Sequence, residues 1–174
     1  MVVKRVAGAL GAELQAVNLG DGIDAELAST LRALLNEYEV LFLRDQVIEP
    51  AAQKALAEIF GPLQTHPAYN TVDGLPEVMI LESTRENPSK IEIWHSDMTF
   101  RQHPPSVTVL RGITIPEVGG DTLFASMTAA YEGLSSGMQR YLDGLVLFEA
   151  EGQAFLTTHD LPPRPLPWLT KETF

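Results

Sequence analysis

The sequence contains no cysteine. That excludes disulfides, a thiolate metal site and a cysteine nucleophile, so any metal must be held by histidine and carboxylates, which suit Fe, Mn, Zn or Ca. Histidine is itself scarce, with 4 in 174 residues. No apolar run approaches the roughly 20 residues that span a bilayer. The N-terminus, M-V-V-K-R-V-A-G, lacks the apolar core and cleavage site of a signal peptide. These absences predict a cytoplasmic protein with no membrane partner. Positive charge is short as well: 12 Lys and Arg against 23 Asp and Glu give a net charge of −11. A phosphate backbone needs a basic face, so nucleic acid is not an expected partner. A local pocket for a small anion remains open, with Arg44, Arg101 and Arg111 as candidates.

What is present is ordinary globular material, 45% hydrophobic and 20% charged, enough for a real core in one domain over residues 1–174. V-V-K-R-V and A-E-L-Q-A-V-N-L alternate polar and apolar residues and predict short strands. Asp24 is placed to cap a helix carrying Leu27, Leu31, Leu34, Leu35 and Tyr38 on its apolar stripe. V-L-F-L (40–43) predicts a buried strand. Pro50 opens a second helix that Gly61 stops. Further strands are expected at 78–81, 106–115, 123–125 and 146–148. Ser126 and Ser135 are placed to cap helices reaching Leu134 and Leu142. Beyond Phe155, L-P-P-R-P-L-P-W-L-T carries 4 prolines in 10 residues, which only an extended chain accommodates. Many strands with a few helices predict an α+β, mainly β domain packed as a sandwich or barrel.

The segment W-H-S-D-M-T-F (94–100) holds the densest chemistry. On a strand, His95 and Asp97 would share a face and aim an imidazole and a carboxylate at one point. That supplies two ligands of a 2-His-1-carboxylate site, the arrangement that leaves positions open on Fe(II). The plain alternative is a surface aspartate hydrogen-bonded to a structural histidine.

The surrounding blocks decide between these. W-H-S-D-M-T-F, P-P-S-V-T-V-L-R, G-G-D-T-L-F-A-S and A-A-Y-E-G-L-S, with G-A-E-L-Q-A-V-N-L, V-L-F-L-R-D-Q and F-G-P-L-Q-T-H-P before them, resemble the taurine dioxygenase-like family of Fe(II)/2-oxoglutarate-dependent dioxygenases from about residue 7 to residue 150. The resemblance implies a double-stranded β-helix, or jelly-roll, with flanking helices. It implies that His95 and Asp97 ligate the iron. It implies that Thr122 hydrogen-bonds the carboxylate of 2-oxoglutarate, and that His66 and Tyr69 contact the anionic group of the substrate, with Met98 lining the same pocket. Trp94 and Phe100 are expected to pack beside the metal, and His103 to be exposed. The implied reaction consumes O₂ and 2-oxoglutarate, releases succinate and CO₂, and hydroxylates a small organic anion such as a sulfonate or alkyl sulfate ester. Enzymes of this family are commonly homo-oligomers.

The pattern also breaks. The family's second metal histidine and its 2-oxoglutarate-binding arginine, expected well downstream, have no counterpart. His159 and Arg164 come too early and in the wrong context, and His159 is a substitute ligand only by hypothesis. The expectation is a fold incomplete at its C-terminus, part of a longer enzyme, with a non-catalytic or disabled fragment that binds a ligand or partner as the alternative. Four residues before the first metal histidine, where taurine dioxygenase has an asparagine, this chain has Ile91, which points to a less polar substrate such as an alkyl sulfonate or alkyl sulfate ester.

Overall fold

A computed structural model describes residues 1–66, 69–88, 94–99, 101, 103–150, 153–158 and 164–170. The chain divides into two compact units, Met1–Ser83 with Ser106–Ser126, and Thr84–Pro105 with Met127–Phe174.

In the first unit, β1 (Val2–Arg5) and β2 (Ala12–Gln15) form an antiparallel pair with Val3 opposite Leu14. β2 shows the period of two that its sequence predicts: Ala12 and Leu14 are buried, Glu13 is half-buried and Gln15 is exposed. Helix α1 (Ala25–Tyr38) then carries the chain over to β3 (Leu41–Phe42), which pairs parallel to β2. The crossover is the element that a parallel neighbour requires. Asp24 caps α1 as expected, its carboxylate accepting from the Leu27 N–H at 2.8 Å. Replacing Asp24 by Ala leaves that N–H without its acceptor, and a loss of about 1 kcal/mol is the expected outcome in urea denaturation. Glu39 ends the helix at φ 62°, its N–H bonded to the Leu35 carbonyl.

Helix α2 (Pro50–Glu58) starts on proline, whose missing N–H costs nothing in a first turn. Its Leu56 joins Leu14, Leu19 and Leu31 in the core, against which Ile23, Leu27, Leu34, Leu41, Ile59 and Val109 pack. The Gln46 side-chain amide ties two loops together. Its Oε1 accepts from the Leu19 N–H at 2.8 Å, and its Nε2 donates to the carbonyls of Val17 (2.9 Å) and Arg44 (2.8 Å). A hairpin of β4 (Thr71–Val72) and β5 (Leu75–Met79) turns at Gly74.

Two predicted strands in this unit do not form. Residues 106–115 and 123–125 carry no strand assignment. Their β-branched composition favours a pleated surface, but a strand exists only with a ladder partner, and composition does not supply one. The strand expected at 78–81 is displaced to β5.

The second unit holds α3 (Met127–Glu132), α4 (Ser136–Asp143) and an antiparallel sheet in the order β6 (Leu145–Ala150), β7 (Gln153–Thr158), β8 (Arg164–Thr170). Ser135 caps α4, its hydroxyl accepting from the Met138 N–H at 3.3 Å. The Tyr131 hydroxyl of α3 donates to Asp143 of α4 at 2.5 Å. This hydrogen bond, followed by desolvation and the negative charge of Asp143, raises the phenol above its usual value of 10.0. The sign follows directly: Tyr131 stays protonated beyond pH 10, and its tie to Asp143 is lost only as pH rises through the raised value. Ultraviolet titration of Tyr131→Phe against the parent is expected to remove one late-ionising tyrosine signal. The described part of the proline-rich stretch, residues 164–170, is extended, as its composition requires. Pro165 and Pro167 lie in β8, at the edge of its sheet, where a missing N–H breaks no interior ladder.

Candidate metal centre

Among the described residues of the second unit, His95 and Asp97 are brought together: His95 Nε2 lies 3.3 Å from Asp97 Oδ1. The means differs from the one the sequence suggests. Residues 94–96 have no regular structure and 97–99 form a turn, so strand alternation is not the cause. Met98 takes the left-handed conformation at φ 55°, and the Arg101 N–H donates to its carbonyl at 3.0 Å. A methionine in that region is uncommon, and here it reverses the backbone between the aspartate and the residues after it. The pair is half-exposed, 45% for the His95 side chain and 49% for that of Asp97. As an ion pair it contributes little, since exposed pairs are worth about 0–1 kcal/mol.

The donor set fits a metal in part. One imidazole nitrogen and one carboxylate oxygen are borderline-to-hard donors, suited to Fe(II) or Mn(II). Two adjacent ligands on an ion with bonds of about 2.1 Å lie roughly 3 Å apart, close to the 3.3 Å observed. No third His, Asp or Glu joins them among the described residues. His159 lies outside those residues, as do Ile91 and Phe100. Met98 is half-buried beside the pair. Trp94 is corrected: it is 68% exposed rather than packed. His103 is exposed, as expected.

The remaining candidates belong to the first unit. His66 and Tyr69 stack at 4.9 Å between ring centroids with an interplanar angle of 53°. They are three positions apart in a loop, and both present polar atoms on an otherwise apolar pair. Thr122 is exposed, two residues after Gly119 and Gly120, which take φ 81° and 73°. Two successive left-handed residues explain the glycine pair, because side chains there would be strained. Phe124 is held edge-on against Phe42 at 6.1 Å.

Of the three arginines considered for an anion pocket, the two in the first unit are each engaged within it. Arg44 sits 3.7 Å from Glu13 and 5.5 Å over the Phe42 ring. Arg111 donates to the Ile48 carbonyl and has a buried Nε without a partner. Arg101 belongs to the other unit. That use of Arg111 as a backbone brace has no signature in the sequence, since it depends on a loop 63 residues away.

With this geometry in view, the chain's likeness to known proteins can be placed. Residues 3–149 match the model of the "Taurine catabolism dioxygenase TauD, TfdA family". An alkylsulfatase of Acinetobacter baylyi is 32% identical over 145 residues, covering 83% of this chain and 45% of that protein. An alpha-ketoglutarate-dependent sulfate ester dioxygenase of Pseudomonas putida is 32% identical over 144 residues, covering 82% and 47%. A crystal structure of a taurine dioxygenase from Burkholderia xenovorans superposes with a TM-score of 0.73 at 29% identity, over 98% of this chain and 63% of that one. The fold is thus of the taurine dioxygenase type. The chain belongs to the TauD/TfdA family. It spans about half the length of the curated relatives it matches.

Proposed function

We propose that this chain carries the metal-binding and co-substrate-binding part of an Fe(II)/2-oxoglutarate-dependent dioxygenase acting on a small organic anion, a sulfate ester or sulfonate. The single observation that carries this is the 3.3 Å approach of His95 Nε2 to Asp97 Oδ1 in a chain of this family. The names of the relatives supply the substrate class: alkylsulfatase, and sulfate ester dioxygenase. The complete fold is taken to be a jelly-roll with flanking helices, forming one domain.

In this reading His95 and Asp97 hold the iron through Nε2 and a carboxylate oxygen. Bound there, the iron supplies the oxidative decarboxylation of 2-oxoglutarate by O₂ and the oxidation of a substrate C–H bond. The rest falls to the protein. The Thr122 hydroxyl donates to the 2-oxoglutarate carboxylate and fixes its orientation. His66 and Tyr69 donate from ring N–H and phenol O–H to the anionic head of the substrate, and their mutual stacking restrains both rings. Met98 offers an apolar, adaptable wall. Ile91 suits an alkyl chain better than a polar one. The atoms balance: substrate, O₂ and 2-oxoglutarate give hydroxylated substrate, succinate and CO₂. For an alkyl sulfate hydroxylated at the carbon bearing the ester oxygen, the product collapses to aldehyde and sulfate.

The test is an anaerobic titration of Fe(II) and 2-oxoglutarate into the chain, watching for the weak visible charge-transfer band of the chelated complex. A band reaching its limit at one equivalent is the expected result. Failure of the chain to bind metal at all would sink the reading. In the same assay Thr122→Val is expected to weaken 2-oxoglutarate binding by about 10- to 100-fold, the worth of one hydrogen bond to a charged group, while metal binding alone is unchanged. A substrate screen in which taurine outpaces longer alkyl sulfates would count against the apolar pocket.

A further inference from the structure

Helix α1 ends on Glu39 at φ 62° and ψ −31°. Across it the Val40 N–H donates to the Tyr38 carbonyl at 2.7 Å, so Glu39 is the centre of a γ-turn of the rare, strained hand. Glycine takes a positive φ without steric strain, and helix ends commonly use it there. The hydrogen bonds that close the helix at this point are made by backbone, with the Glu39 N–H on the Leu35 carbonyl at 2.8 Å. A side chain kept at a position that favours glycine points to a role elsewhere in the fold.

The Glu39 carboxylate reaches a distant segment of the first unit. Its Oε1 accepts from the Ser126 hydroxyl at 3.0 Å, between residues 87 positions apart. Three residues on, Phe42 of β3 meets Phe124 edge-on, with 6.1 Å between ring centroids and 78° between planes. Residues 39 and 42 thus grip the chain at 126 and 124. β3 is a firm base for that grip, since Leu41 and Phe42 pair with Ala12 and Glu13 of β2. Thr122 lies two residues before the first gripped position. On its other side stand Gly119 and Gly120, at φ 81° and 73°, whose backbone has wide conformational choice. The contacts on the C-terminal side therefore locate Thr122. Glu39 is exposed, and a hydrogen bond that competes with water adds little net stability, so its worth lies in where it holds the chain. We infer that Glu39 is a positioning residue for the co-substrate: by holding Ser126 it aims the Thr122 hydroxyl at the 2-oxoglutarate carboxylate, while straining its own backbone. This role presupposes that Thr122 binds 2-oxoglutarate, as in the dioxygenase reading.

Glu39→Gly separates positioning from structural support, because it removes the carboxylate and relieves the turn together. In the full chain without metal, amides of 121–126 are expected to exchange about 10-fold faster, while the melting midpoint stays at or above that of the parent. With Fe(II) bound anaerobically, the charge-transfer band is expected to need about 10-fold more 2-oxoglutarate. Glu39→Gln keeps both the strain and an oxygen that accepts from Ser126, and is expected to hold both readouts within about threefold of the parent. Unchanged exchange at 121–126 in Glu39→Gly overturns the proposal, and so does Glu39→Gln binding as weakly as Glu39→Gly. A midpoint that falls together with the affinity also overturns it, because Glu39 would then be a brace of the fold. A parent that takes up no 2-oxoglutarate sinks the dioxygenase reading and this role with it. A parent that binds 2-oxoglutarate no more tightly than Glu39→Gly overturns this role alone.

Discussion

His95→Ala and Asp97→Ala are each expected to weaken Mn(II) binding by on the order of 100-fold or more while leaving the protein folded. The magnitude has a lower bound in experience with metal sites: losing even an outer partner of a ligand costs about 10- to 100-fold in affinity, and losing a ligand costs more. The folding side is equally definite. The two side chains are about half exposed, and an exposed ion pair contributes about 0–1 kcal/mol, so neither substitution is expected to move the thermal midpoint much. The comparison that matters is between the two readouts. Mn(II) affinity from electron paramagnetic resonance should collapse while circular dichroism melts coincide with the parent. His103→Ala serves as the control, exposed in the same unit and expected to keep full affinity. Asp97→Asn is the more delicate variant, since it keeps the shape and removes the charge. It should bind more weakly than the parent and no better than Asp97→Ala by more than about tenfold, because a neutral amide oxygen is a poor substitute for a carboxylate on a divalent ion. Equal binding by parent and His95→Ala would mean that the approach of His95 to Asp97 is only an ion pair.

The parts of this fold that were legible in the sequence are those whose information is local. Asp24 and Ser135 announce helix starts because each side chain accepts from an N–H three residues on, and Pro50 does so because its ring suits a first turn. The leucines of α1 fall on one face because the helix itself imposes the period. The strands at 106–115 and 123–125 were misread for the complementary reason. Val107 and Val109 do alternate inward, but whether they belong to a sheet depends on a partner that no local pattern contains. The His95–Asp97 pair lies between these cases. Its two residues are identified by the surrounding motif blocks, while the device that joins them, a turn with Met98 at positive φ, is invisible to a period-two argument. The Arg111 brace and the Gln46 clamp were missed because each joins residues far apart in the chain, and nothing in Arg or Gln marks which distant carbonyl it will meet.

Leu31→Ala is expected to destabilise the first unit by about 2–5 kcal/mol. Leu31 is 1% exposed, and it is the largest side chain in the described core sealed to that degree. It clusters with Leu14 of β2, Leu56 of α2 and Leu19, which opens a short 3-10 turn at Leu19–Asp21. Truncation therefore opens a cavity where strand, turn and both helices meet, and three elements would have to shift together to fill it. The transfer loss of three methylene-sized groups accounts for about 2 kcal/mol, and the unfilled space adds the rest. Guanidinium denaturation should show a lower midpoint with an unchanged slope, since the substitution alters stability and not the surface exposed on unfolding. Leu31→Met conserves volume and is expected to cost less than about 1.5 kcal/mol. Val47→Ala is the matched control, because Val47 is 93% exposed and its truncation removes almost no buried area. If Leu31→Ala and Val47→Ala melted alike, the leucine cluster would not be the core of the first unit. The support it gives to Val109 would then have to come from elsewhere.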